Sequence, residues 1–132
     1  MSGSVPEAVA NRVAALEAVW KADLKTQLDA VSAGRDAMRG RSVDPRVAGQ
    51  LYMRIHDLKS IGTPCGFPII SVLAAAICTL FDDPAKTPVD QMGLVDDHLD
   101  AIHACFQQDI KTVDDPRAAP LMAQLEQDVR LR

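Results

Sequence analysis

The sequence predicts an all-α fold: an up-down-up-down four-helix bundle with a short extra C-terminal helix. Three observations carry that prediction. Apolar residues recur at steps of three and four over long stretches, and prolines preceded by a capping residue stand at the head of most of them. The composition is 48% hydrophobic but only 4% aromatic, rich in Ala, Leu and Val, without the β-branched and aromatic alternation of strands.

Ser4-Val5-Pro6-Glu7 has the form of a capping box followed by an early proline, so a first helix starts there. Val9, Val13, Leu16, Trp20, Leu24, Leu28 and Val31 continue it on one face, with Trp20 as a core anchor, and Gly34 is the natural left-handed stop. Arg35, Arg39, Arg41 and Arg46, diluted by Asp36 and Asp44, read as a solvated connector. Asp44-Pro45 then opens a second helix that Gly62 and Pro64 end. Gly66 permits a tight reversal, and Pro68 heads a third helix whose broad apolar face is Ile69, Val72, Leu73, Ala76, Ile77, Leu80 and Phe81. Thr87-Pro88 starts a fourth, expected to run from Met92 through Phe106 to Ile110 and Val113. Its acidic side (Asp96, Asp97, Asp100, Asp109) reads as a solvated face. A last helix carries Leu121, Leu125 and Val129 after Pro120.

At 132 residues the chain, 1–132, is long enough for one domain with a single core. Its net charge of −4 and pI of about 5.2 give no basic face for nucleic acid. Three cysteines, Cys65, Cys78 and Cys105, form no Cys-x-x-Cys pair, and the odd count fits a reducing compartment. Cys78 and Cys105 are expected as small core residues. No leader-like start and no run of about 20 apolar residues is present. A soluble, cytoplasmic monomer that binds neither nucleic acid nor membrane is expected.

The chemistry concentrates around His56. Turning each residue of the second helix by about 100° gathers Val47, Leu51, Ile55, Leu58 and Gly62 opposite His56, as the core face. Gly49, Tyr52, Met53, Lys59, Ser60 and Thr63 lie around the histidine, which is expected to face water. An outward imidazole is free to react, and Lys59, one turn on, can neutralise negative charge placed on it. Gly49 and Ser60 leave room for another protein to approach.

His56-x-x-Lys59-Ser60, with Gly66 ten residues after the histidine and an apolar helix beyond, resembles the histidine-containing phosphotransfer (HPt) domain. That resemblance implies a bundle in which His56 accepts a phosphoryl group and Lys59 steadies it. Ser60 is then the small residue after the lysine, and Gly66 the turn to the next helix. Ser60 stands where the family most often has glycine. No glutamine lies between Phe67 and Asp83 to contact the phosphoryl group, and Ser71 and Cys78 are the candidates to face that region. The implied partners are receiver domains of a hybrid histidine kinase and a response regulator, which bring the magnesium; this chain itself is expected to bind no cofactor and no metal. No Gly-rich phosphate loop or kinase signature is visible, so the phosphate comes from a partner and not from ATP.

Two other readings remain at this point. One is a helical adaptor in which His56 is incidental or the site has decayed. The other is a metal or haem bundle, disfavoured because His98 and His103 are five apart and so about 140° apart on a helix, unlike the i, i+4 pair that a shared metal prefers. His98 is expected at the surface and His103 at the boundary.

Overall fold

The computed structural model describes residues 6–38, 45–86 and 88–131, and these form five helices and no strand. They are α1 (Glu7–Ala37), α2 (Pro45–Ile61), α3 (Pro68–Phe81), α4 (Pro88–Gln107) and α5 (Ala118–Leu131). The caps expected at Ser4, Asp44 and Thr87, and the connector residues Arg39 and Arg41, lie outside the described residues.

Each helix packs on its neighbour in sequence. From α2 come Ala48, Leu51, Ile55 and Leu58, spaced so that one face is buried. α3 lies against both α2 and α4, which is why its buried stripe is broad: Ile69, Ile70, Leu73, Ala74, Ile77 and Cys78. Each fully buried Leu or Ile contributes roughly 1.5–3 kcal/mol relative to exposure. α5 sits on α4 through Ala118 and Leu125, which are buried, and Leu121 and Met122 beside them.

Polar ties run from α1 to α4 and to the turn just past it. Lys21 Nζ lies 2.8 Å from Asp109, Ser32 Oγ 3.0 Å from His103 Nε2, and Arg35 Nη1 3.1 Å from Asp100 with its Nε 3.7 Å from Asp96. Arg35 thus leaves the solvated connector expected for it: its side chain is only 17% exposed, held between two carboxylates of the expected solvated face.

The structure corrects the sequence reading at four further places. α1 does not stop at Gly34 but runs to Ala37, and Gly34 serves close packing, since a Cβ there would lie 3.2 Å from Leu51 Cδ1. Trp20 is not a core anchor. It is 39% exposed, and Val9, Val13 and Leu16 before it are exposed too, because α1 outreaches the shorter α2 and α3 and its buried residues begin only at Leu24.

α4 ends at Gln107 and not near Val113. Asp109 adopts φ +54°, and Ile110 N–H donates to Cys105 O at 2.9 Å, the bonding of a Schellman stop with aspartate in the place glycine usually takes. Ile110 is buried beyond the stop while Val113 is exposed. Lastly, His98 is buried because α5 covers that flank of α4, and its Nδ1 lies 2.7 Å from Leu94 O. No described helix is long and apolar enough to cross a membrane.

Candidate functional site

The site is the outer face of α2. Ala48, Leu51, Ile55 and Leu58 commit the opposite face to the core, so the helical period turns His56 outward. Of the three histidines, His56 alone is exposed; His98 is buried and His103 half-buried.

Around His56 the structure gathers the residues expected there. Tyr52, one turn earlier, places its ring 6.3 Å from the imidazole at 33°. Its other side meets Phe81 of α3 edge-on at 6.0 Å, so the tyrosine is braced by the neighbouring helix. Desolvation and the Asp82 carboxylate, which also takes a hydrogen bond from the phenol, push the tyrosine pKa up. Met53 is 56% exposed. Gly49 is exposed, and a Cβ there would meet nothing within 4 Å. Beside it Pro45, Ala48, Tyr52 and Phe81 line a shallow depression of about 270 Å³. The face is therefore open at Gly49, one side of the imidazole.

Lys59 is half-buried on the same side, within electrostatic reach of Cys78 on α3. Burial raises the Cys78 thiol pKa, and Lys59 partly offsets this. Cys78 thus does face the region from α3; it is 5% exposed and a small packing residue. Ser60 is exposed, and its hydroxyl donates back to His56 O at 3.4 Å, a bond within its own helix.

The exit from α2 is fixed by close approach. Thr63 N–H and Oγ1 both donate to Ser71 Oγ, at 2.9 and 3.1 Å. Gly62 is buried where a Cβ would lie 2.6 Å from Ser71 Oγ and 2.7 Å from Ser71 N, so only glycine lets α3 start this close to the end of α2. Gly66, at φ +91°, completes the reversal, and Phe67 N–H donates to Gly62 O at 2.8 Å. Gly66 and Thr63 belong to this turn and act by positioning helices.

Phe81 and Asp82 escaped the sequence reading as site residues. Phe81 reads as core by its spacing and Asp82 as a helix end, and the register between two helices leaves no mark in either one alone. Among the described residues no three metal-ligating side chains gather. His98 lies under α5 and His103 against Ser32 of α1, so the two face different neighbours.

Fold and site together define a structural class: an all-helical protein presenting one outward imidazole with a cation a turn away. Comparison with models of known protein families, with curated proteins and with solved structures finds no match in any of the three.

Proposed function

We propose that the chain is a histidine phosphotransfer protein of a multistep phosphorelay, with His56 as the phospho-accepting residue. α1 to α4 are then the up-down-up-down bundle of an HPt domain and α5 an addition to it, in one domain working in the cytoplasm. The observation that carries this reading is the division of labour on α2. Its core face is complete without His56, and the imidazole stands on an open face with Lys59 beside it.

A neutral ring nitrogen attacks the phosphorus of a receiver aspartyl phosphate, the P–O bond to that aspartate breaks, and its carboxylate leaves. The reverse step hands the group to a second receiver. Lys59 offsets the charge the imidazole gains. Gly49, Tyr52, Met53 and Thr63 form the docking surface, and the receiver brings the magnesium.

Mixing the purified chain with a phosphorylated receiver tests this. Acid-labile phosphate on the wild type and none on His56→Gln is the expected result. A chain that takes label from none of the receivers of its source organism is instead an adaptor.

A further inference from the structure

The N-terminal half of α1 extends past the other helices with an apolar stripe that no described residue covers. Val9, Val13, Leu16 and Trp20 are between 39% and 49% exposed. Their spacing of four, three and four is that of a coiled-coil seam. Turned by about 100° per residue, the centre of the stripe falls about 60° from that of Leu24, Leu28 and Val31. It is thus the core face of α1 continued beyond the body, over the end formed by the Gly66 turn and Lys111. A groove of about 630 Å³ lies along the neighbouring flank of α1 and meets the stripe at Trp20, with Ala14, Ala18, Cys65, Phe67 and Lys111 among its other lining residues.

Charge narrows the choice of occupant. From residue 6 to 23 the charged residues are Glu7, Glu17 and Asp23 against Arg12 and Lys21, with no cationic excess to seat on anionic lipid or nucleic acid. We infer that the stripe is where two copies of this chain associate, their α1 extensions packed antiparallel.

The stripe is self-complementary in that arrangement. About a midpoint between Ala14 and Ala15, Val13 falls opposite Leu16 and the small Val9 opposite the large Trp20. Pro6 falls opposite Asp23, one residue before Leu24, the first buried residue of α1, so the extension is as long as the pairing requires. A parallel pairing fails because each copy's residues 24–31 would run into the other's body.

The area is sufficient. The four stripe residues and Val19, which is 55% exposed, present on the order of 400 Å² of apolar surface per copy. A pair therefore buries roughly 800 Å², and the flanking alanines and the stems of Arg12 and Glu17 bring it to the roughly 1,200 Å² at which specific interfaces begin. This association does not depend on the phosphotransfer reading.

Sedimentation velocity of the full chain across micromolar to submillimolar concentrations tests it. The wild type is expected to double in mass with rising concentration, while the emission of Trp20, the single tryptophan, shifts to the blue. Leu16→Glu and Val13→Ser are expected to remain monomeric with unchanged helicity, a weakening of at least a hundredfold. Mixed Val9→Cys and Trp20→Cys chains cross-link to each other, identified by peptide mass, and neither does so with itself. A wild type that stays monomeric throughout overturns the inference, as does a dimer indifferent to both substitutions. Homotypic cross-links at position 9 overturn the antiparallel arrangement.

Discussion

Gly62→Ala probes the joint that sets α3 against the site helix. A methyl carbon at 62 would stand 2.6 Å from Ser71 Oγ, 2.7 Å from Ser71 N and 3.1 Å from Phe67 O. The hydroxyl can swing away, but the two backbone atoms cannot, so the first turn of α3 must lift from the last turn of α2. That movement strains the packing of α2 on α3 and loosens the two hydrogen bonds from Thr63 to Ser71. Overpacking of this kind costs about 2–3 kcal/mol, lost hydrogen bonds included. Reduced unfolded-chain entropy returns about 0.5 kcal/mol. A net loss of about 2 kcal/mol lowers Tm by about 6–10 °C in a domain of this size. The control is Gly49→Ala, where a Cβ meets nothing within 4 Å in mid-helix, and the substitution gains about 0.5–1 kcal/mol. Urea unfolding of the three proteins, with the m-value constant, reads both effects. A Gly62→Ala protein as stable as the wild type, or a destabilised Gly49→Ala protein, would refute the reasoning.

Three further outcomes are expected. Lys59→Ala slows phosphoryl transfer to His56 at least tenfold while changing stability by no more than about 0.5 kcal/mol, as quench-flow labelling and urea unfolding together would establish. Leu28→Ala costs about 2–5 kcal/mol whereas Leu16→Ala, on the uncovered extension, costs less than about 0.5 kcal/mol for the monomer, and equal costs would contradict the exposure of the α1 stripe. Stability falls in two steps on acidification. Burial and Arg35 lower the His103 pKa from 6.5, so the unfolded chain takes up that proton first and stability drops as pH falls from 6.5 through the lowered value. The Asp109 and Asp115 pKa values, lowered from 3.8 by hydrogen bonds from Lys21 and Arg117, give the second drop as pH falls below 3.8 through their lowered values. His103→Gln removes the first step from a series of urea midpoints against pH, and Arg117→Ala weakens the second.

The helices were legible because local signals fix them. Pro45, Pro68 and Pro88 begin α2, α3 and α4 where the prolines indicate, and the spacing of Leu51, Ile55 and Leu58 placed His56 on the outer face with Tyr52, Met53 and Lys59 around it. Readings failed where the deciding fact lay in another element. Periodicity marks an apolar face at Trp20 but cannot tell that the neighbouring helices end short of it. Gly34 has the composition of a stop, yet Leu51 makes it a contact point. Nothing near His98 announces that α5 will cover it, and only chain geometry distinguishes Asp109 as a left-handed residue. Phe81 and Asp82 join the site for the same reason: the register of α3 on α2 is a tertiary quantity.

The polar seam between α1 and α4 has a consequence for the order in which the fold forms. Consecutive helices touch, so most of the packing is local in sequence and can zip up quickly. Lys21 to Asp109 instead joins residues 88 positions apart, and that loop closes only once the intervening helices have shortened the path. The seam of Lys21, Ser32 and Arg35 is thus the last part of the structure to form. Being partly solvated, it also opens before the buried faces of α2 and α3, and amide exchange along it should run ahead of exchange there.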